Sequence, residues 1–469
     1  MTSRHIFLLV ASLVAATPAQ SQPSLRTDTL ALTLADALSR LARREPRLAA
    51  AQAMRDIARA ARGEALSTRR NRVLPTVSAA FGTQRLAQNQ FLEIGRRAGV
   101  SPPPTDQLDP FSRVFTSPNT RTASLTAAIR PYDGGVADAQ VDAARAGARA
   151  TDIAALQVRA ALEAEVVTWY ADVQLQRRLR DVADSAIAHA ERTLSVTRQA
   201  VAQGRTPEFE IWRVEADVQA VRPARFNADR LLRVAELALR QLIEVPEHVP
   251  LRLDTPAEPW SAQDTAARLV VSPPAQAATS RDGRLALREL DAREREAAAQ
   301  RWAAWRALLP ALDVTLSHQR FAYPLRGSDW GDPFYQNTQV GVSSSVPLDL
   351  TGGSVTRIES AAARVRLVQA QRRDAQRLHA LEATDMEAQR DATRAAWLAA
   401  VAGSASAEKA LRVAQARHDV GRASLLELQD ARLVWYRSMA TRAQAARDRT
   451  VIEVRLDLLD RLPLSSLQN

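Results

Sequence analysis

Two long stretches without proline constrain this sequence most, because each is far longer than an ordinary globular helix. The first runs from Val136 to Ala202, about 67 residues, with Gly147 as its one glycine. A continuous helix of this length extends roughly 100 Å at about 1.5 Å per residue. Its apolar side chains recur in steps of four and three residues, which is the spacing of coiled coils. The sequence therefore predicts a chain built around long, paired helices.

The second stretch repeats the first at a nearly constant distance. Gly352 and Gly353 stand 218 positions after Gly134 and Gly135, and a second long helix is predicted after them. The best match has an offset of 217, with these identical pairs: Ala190/Ala407, Glu191/Glu408, Leu194/Leu411, Val196/Val413, Gly204/Gly421 and Arg205/Arg422. An offset this steady indicates an internal duplication.

The duplication divides the chain into four parts. Residues 1–21 have the shape of a cleaved secretory signal peptide, with a basic start, a short apolar run and small residues near the cleavage site. An N-terminal anchor helix is the alternative. The first repeat is expected over 22–244 and the second over 282–469, joined by a proline-rich connector over 245–281. No later apolar run reaches the roughly 20 residues that a membrane-spanning helix needs.

Each repeat contains two short segments in which apolar and small polar residues alternate, as in strands with two different faces. They are residues 76–85, 122–130, 312–319 and 339–346. These segments predict hairpins over about 75–131 and 310–348, each preceded by a Leu-Pro pair. An apolar face and a polar face fit lipid on one side and water on the other. Soluble hairpins packed on the helices are the alternative.

Four strands are too few to close a barrel, because the smallest bacterial barrels have about eight. Open edges in lipid leave backbone groups unpaired, at a cost of several kcal/mol each. The strands therefore predict an oligomer, with twelve strands in a trimer. Aromatic residues near the strand ends fit a membrane interface, and they also fit loops whose rings pack together. They are Phe91, Phe111, Phe115, Phe321, Tyr323, Trp330, Phe334 and Tyr335.

Composition excludes several classes of protein and site. The chain has no cysteine, which excludes disulfides, thiolate metal sites and lipid on an N-terminal cysteine. Its 63 basic and 52 acidic residues are interspersed, which indicates solvated helix faces rather than a nucleic-acid surface. The six histidines form no metal-spaced pair, and no nucleophile elbow or phosphate loop is present. No catalytic residue, metal or cofactor is therefore expected.

Glycine and proline mark both ends of the predicted long helices. Two strand-to-helix hinges are predicted at the residues Pro131, Gly134, Gly135, Pro347, Gly352 and Gly353, because paired glycines adopt backbone angles that other residues resist. Turns over about 203–207 and 420–424 are predicted to end the two helices.

In this order, these features resemble the TolC-type outer-membrane efflux proteins, over nearly the whole chain. The likeness is carried by the Leu-Pro pairs, the hinges, the tip glycines Gly204 and Gly421, and the run from Gly421 to Ala431. The resemblance implies a fold that is mainly α with a small β part. It also implies a homotrimer in which a twelve-stranded transmembrane barrel continues into a periplasmic helical barrel.

The resemblance also implies partners. The helix tips would meet a periplasmic adaptor that serves an inner-membrane transporter of the RND or ABC type, the barrel would lie in outer-membrane lipid, and nucleic acid is not a partner. The implied docking residues are Gly204, Arg205, Thr206, Gly421, Arg422, Ala423 and Ser424.

Glu427 and Asp430 match an acidic pair that lines the narrow entrance in that family. They lie on one helix face at positions i and i+3. Threefold symmetry would gather six carboxylates into a ring that attracts cations. Without the family, two solvated carboxylates on an exposed helix explain the same residues.

Glu210 matches an acidic residue that the family uses in tethers holding the entrance shut. This chain departs from the family at the two partner positions, where Ala423 replaces a basic residue and His418 replaces an aromatic one. Arg422 and Arg213 are the alternative partners, and His418 is a candidate pH-sensitive element.

The function predicted on these grounds is a passive exit duct of a tripartite efflux or secretion system. A secreted or periplasmic coiled-coil scaffold without a pore is the alternative. No sequence feature selects drugs, metals, metabolites or proteins as the substrate.

Overall fold

The computed structural model describes residues 30–85, 97–99, 119–253, 284–324 and 335–464. Within these ranges the chain is mainly helical with a small β part, as predicted. The predicted signal peptide, most of the connector and five of the predicted interface aromatics lie outside them: Phe91, Phe111, Phe115, Trp330 and Phe334.

The described elements follow one another in this order: β1 (Leu30–Leu32), α1 (Leu34–Arg44), α2 (Pro46–Arg70), β2 (Thr76–Arg85), β3 (Asn119–Tyr132), α3 (Val136–Ala202), α4 (Phe209–Ile243), β4 (Leu251–Leu253), α5 (Leu285–Arg306), β5 (Ala311–Ala322), β6 (Tyr335–Ser345), α6 (Gly353–Asp419) and α7 (Leu425–Asp457).

Two helices of equal length dominate the molecule. α3 and α6 each contain 67 residues, and α3 has the bounds that the sequence predicts. α3 packs against α2, α4, α5 and α7, and α6 packs against α5 and α7. Across the described residues, no helix combines the length and the hydropathy that a membrane span needs.

Large buried side chains are concentrated in the middle of α3. From Ala137 to Ala160 every buried apolar residue of α3 except Val141 is alanine, whereas Leu162, Val166 and Tyr170 lie farther along. These larger residues form one core with α1, α4 and the end of α7, in which the Tyr170 hydroxyl donates to the carbonyl of Leu32 at 3.1 Å. β1 and β4, which the sequence did not predict, form a short parallel pair beside this core.

The four predicted strand segments form one antiparallel sheet in the order β2, β3, β5, β6. β3 and β5 extend beyond the predicted segments at both ends, and β6 begins four residues before its predicted segment. In the described chain β2 pairs only with β3, and β6 pairs only with β5. Both outer strands therefore keep one unpaired edge.

The register gives the sheet two chemically different faces. One row across it contains Val77, Ala127, Leu316 and Val340, each opposite the next. This apolar face is exposed, with 63% of Val77 and 71% of Val340 accessible to solvent. The adjacent row contains the polar side chains Ser78, Thr126, Ser317 and Gln339 on the opposite face.

The first hinge joins β3 to α3 and is packed by other parts of the chain. Asp133 accepts hydrogen bonds from the backbone nitrogens of Gly135 (2.9 Å) and Ala137 (2.8 Å) and from Nη2 of Arg72 (2.7 Å). Partial burial raises the pKa of Asp133, but these hydrogen bonds outweigh burial and hold the pKa below its ordinary value. The carboxylate thus caps the start of α3.

The second hinge joins β6 to α6 and is stabilised only locally among the described residues. Asp349 accepts hydrogen bonds from the backbone nitrogens and hydroxyls of Thr351 and Ser354. These bonds, led by the Thr351 hydroxyl, lower the pKa of Asp349 far below its ordinary value. No described atom outside its neighbours lies within 4 Å of a Cβ built on Gly352.

Gly134→Ala should destabilise the fold more than the matched change Gly352→Ala. Both glycines have positive φ, +67° and +77°, where a non-glycine residue costs about 1–2 kcal/mol. A Cβ on Gly134 would also lie 2.7 Å from the Arg306 carbonyl oxygen and 2.8 Å from Leu309 Cβ, adding about 1–3 kcal/mol of overpacking. Thermal unfolding followed by helical circular dichroism checks this order, and equal midpoints would contradict it.

Candidate functional site

Both long helices end in the same kind of turn. At the end of α3, Gly204 has φ +71° and the Arg205 N–H donates to the Ala200 carbonyl at 2.9 Å. At the end of α6, Gly421 has φ +69° and the Arg422 N–H donates to the Arg417 carbonyl at 2.7 Å. This six-to-one bond around a left-handed glycine closes a helix and reverses the chain. Both turns are exposed, and together they form the tip of the molecule.

Glu427 and Asp430 lie in the first two turns of α7, beside the second tip. The Ser424 hydroxyl accepts a hydrogen bond from the Glu427 backbone nitrogen at 3.2 Å and caps the helix. Both carboxylates are exposed, and neither forms an ion pair with a residue of the described ranges. They are therefore accessible to ions and to other copies of the chain.

The structure brings only some of the predicted tether residues together. Glu210 Oε1 lies 4.0 Å from Nη1 of Arg213, and Glu210 Oε2 is buried without a hydrogen-bond partner among the described residues. His418 Nδ1 lies 4.0 Å from Asp419, on its own helix. In the described chain Glu210 forms no ion pair with His418 or Arg422, so Arg213 is its nearest basic partner.

A polar cluster that the sequence did not predict joins all four tip helices. Arg432 of α7 donates through Nη2 to Thr193 of α3 and to Gln415 of α6 (3.1 Å), and Gln429 of α7 donates to Asp217 of α4. Burial lowers the pKa of Arg432 to about 10, so the guanidinium stays charged at neutral pH. We call these five residues the tip cluster.

His189 of α3 lies next to the tip cluster. Its ring meets the Trp435 ring edge-on, with centroids 5.6 Å apart. Burial, assisted by the positive charges of Arg192 and Arg432, lowers the pKa of His189, so the imidazole is neutral at neutral pH. A sequence clue to this region is the pair Thr193 and Thr197, one turn apart, which are buried on the same helix face as Val182, Ala183 and Ala190.

The polar face of the sheet carries an ion pair at its helix end. Arg130 Nε lies 2.7 Å from Asp313 Oδ1 and its Nη2 lies 3.3 Å from Oδ2, so the pair is bidentate. It joins β3 to β5 across the boundary between the two hairpins. In the described ranges no three histidine or acidic residues are grouped so that they could hold a metal ion.

Comparisons with known proteins agree with this architecture. The model of the family described as outer membrane efflux protein matches residues 37–244 and 278–460. Among curated protein sequences, none matches the chain at a significant level.

Several solved structures have the same fold at low identity. CusC is 16% identical, with a TM-score of 0.71 over 95% of each chain. VceC, an outer membrane protein of Vibrio cholerae, is 16% identical, with a TM-score of 0.69 over 92% of this chain and 97% of its own. The MtrE outer membrane channel of Neisseria gonorrhoeae, in its open state, is 18% identical, with a TM-score of 0.69 over 95% and 94%.

Asp217→Asn should flatten the dependence of stability on acidic pH. Burial raises the pKa of Asp217, and its hydrogen bond with Gln429 and the nearby arginines offset only part of this. Because the pKa of Asp217 is higher in the folded than in the unfolded protein, protonation of Asp217 stabilises the fold. This contribution is complete below the unfolded pKa of about 3.9 and is lost as the pH rises through the folded pKa. Unfolding midpoints between pH 3 and 8 test this, with exposed Glu191→Gln as control. Identical profiles for wild type and Asp217→Asn would refute it.

Proposed function

The chain belongs to the outer membrane efflux protein family, and from this premise we propose that it works as a homotrimeric exit duct driven by partner proteins. Its membership makes it an outer-membrane efflux channel, and the family is one of transport proteins rather than enzymes. The observation that carries the proposal is a sheet with an exposed apolar face, a polar face and two unpaired edges at the end of long helices.

The trimer accounts for the unpaired edges. In lipid, each unpaired backbone group costs several kcal/mol, so β2 and β6 need further strands. Because β2 runs away from the helices and β6 runs back towards them, β6 of one copy would pair antiparallel with β2 of the next. Three copies give twelve strands, with lipid on the apolar face and water on the face of Ser78, Thr126, Ser317 and Gln339. CusC, of similar fold, is described as forming a transmembrane channel.

We also propose the internal duplication and its boundaries, with repeats over 22–244 and 282–469 joined by the connector. The two 67-residue helices support it. So do the N-cap glycines Gly135 and Gly352, which stand 217 positions apart, as do the tip glycines Gly204 and Gly421.

At the far end of the helices we propose the narrow entrance, with Glu427 and Asp430 of three copies forming an acidic ring. Their exposure and lack of ion-pair partners among the described residues support this. Glu210 with Arg213 remains the tether candidate, with His418 and Arg422 as residues that a second copy would have to bring into reach. The same tips, with Arg205, Thr206, Ala423 and Ser424 at their surface, would dock a periplasmic adaptor of an RND-type or ABC-type transporter.

The pore-free scaffold is not favoured, because the family match covers both halves of the chain. We also propose that the chain is exported through its cleaved signal peptide and inserts into the outer membrane without a lipid anchor. The absence of cysteine is consistent with insertion without a lipid anchor.

The purified protein in detergent should have about three times the mass of the 51.3 kDa chain, less the signal peptide, and should form ion-conducting pores in planar bilayers. Light scattering after size exclusion gives the protein mass. A monomeric mass, or a trimer that conducts no ions, would contradict the proposed function as an exit duct.

Glu427→Gln combined with Asp430→Asn should lower the cation preference of that pore, because the proposed ring loses its six charges. The matched control is Asp385→Asn with Glu387→Gln on α6, away from the tip, which should leave selectivity unchanged. Reversal potentials across a salt gradient measure the preference, and an unchanged potential in the first variant would exclude the ring.

A further inference from the structure

The two hinges differ in what covers them. At the first hinge, a Cβ on Gly134 would lie 2.8 Å from Leu309 Cβ, so Leu309 packs directly on the hinge backbone. At the second hinge Leu348 is 84% and Leu350 is 99% exposed. In the described chain nothing takes the place of Leu309 there.

An exposed surface that could cover the second hinge lies at the opposite edge of the sheet. Leu309-Pro310 joins α5 to β5, and the same dipeptide, Leu74-Pro75, joins α2 to β2. Within the chain, Leu309 packs on the neighbouring hinge and is 43% exposed, whereas Val73 is 80% and Leu74 is 61% exposed. The α2 to β2 junction therefore has the residues of a hinge cover, but no hinge beside it.

The directions of β2 and β6 place the α2 to β2 junction and the second hinge at the same end of the sheet. β2 begins at Thr76, next to the helices, and β6 returns to the helices at Ser345. Leu74 and Leu350 therefore both lie at the helix end of the sheet, one at each unpaired edge. Closing a ring of sheets brings one copy's β6 edge against the next copy's β2 edge, and with it Leu350 towards Leu74.

Charge does not oppose burial of the second hinge. Its one ionised side chain, Asp349, turns back to the start of α6, where it accepts hydrogen bonds from Thr351 and Ser354. The side chains left to face a neighbour are the apolar Val346, Leu348 and Leu350. This composition fits an apolar protein surface of the kind that Val73 and Leu74 present.

We propose that Val346, Leu348 and Leu350 of one copy pack against Val73 and Leu74 of a second copy, so that the exposed apolar side chains of the second hinge are covered. The inference rests on the proposed trimer. It adds a contact between neighbouring copies at the helix end of the sheet. Each copy supplies a hinge on one side and a cover on the other, so the second hinge is incomplete in a single chain.

Cysteine cross-linking tests this contact without background, since the chain has no cysteine. Leu74→Cys combined with Leu350→Cys, in isolated outer membranes treated with a mild oxidant or a short bis-maleimide, should give covalent dimers and trimers on non-reducing gels. The control pairs Leu350→Cys with Met54→Cys. Met54 is 62% exposed on α2, and it lies about 30 Å along the chain from Leu74 at about 1.5 Å per residue. The control should stay monomeric, and equal cross-linking in both variants would overturn the contact.

A nitroxide attached to Leu350→Cys distinguishes a second copy from lipid as the cover. An immobilised label that is shielded from both oxygen and a water-soluble nickel reagent supports the contact between copies. Strong broadening by oxygen alone would place Leu350 in lipid and overturn it.

The mass of the detergent-solubilised double variant separates this inference from the proposed function. A trimeric mass without cross-links would overturn the hinge contact and leave the duct standing. A monomeric mass in wild type and variant alike would overturn both.

Discussion

The unpaired edges of the four-stranded sheet are the constraint on which the rest of the structure depends. A backbone N–H or carbonyl without a partner costs several kcal/mol in hydrocarbon, and β2 and β6 each present a whole row of them. The apolar face of the same sheet cannot stay in water without cost either. Both demands are met at once only when sheets from several copies join edge to edge with their apolar faces outward, so assembly is a condition for the sheet to enter a membrane.

The two hinges connect the sheet to the long helices and fix where each helix begins. β3 and β6 are each followed within a few residues by a long helix, and an aspartate caps the new helix at both places. Asp133 is also bound by Arg72, and Gly134 is covered by Leu309, whereas among the described residues Asp349 accepts hydrogen bonds only from its own hinge and the start of α6. α3 and α6 are thus equal in length, and their hinges differ in how they are packed.

Local patterns in the sequence predicted most of the fold. The bounds of α3 and of β2 follow from helical spacing and from strict alternation, because both properties repeat along a continuous segment. β1 and β4 are three residues each, too short to show a period, and they are paired across more than 200 positions.

The contacts of the tip cluster could not be predicted for a related reason. Gln429 and Asp217 are 212 positions apart, and Arg432 and Thr193 are 239 apart. Such pairs depend on how two helical hairpins are rotated against each other, which no local pattern encodes. The exposed pair Glu427 and Asp430 was found because both residues lie on one helix face, and its proposed role came from the family resemblance.

The distribution of side-chain size along α3 has a mechanical consequence. Near the hinge its buried apolar face is almost all alanine, and around Tyr170 it carries large side chains that interlock with three other helices. Methyl groups form shallow ridges, so an alanine-lined interface interdigitates less deeply than one that contains leucine and tyrosine. We therefore expect the core around Tyr170 to fix the position of α3 through side-chain packing, whereas the segment near the hinge depends more on ion pairs such as Arg55 with Asp152 and Arg72 with Asp138.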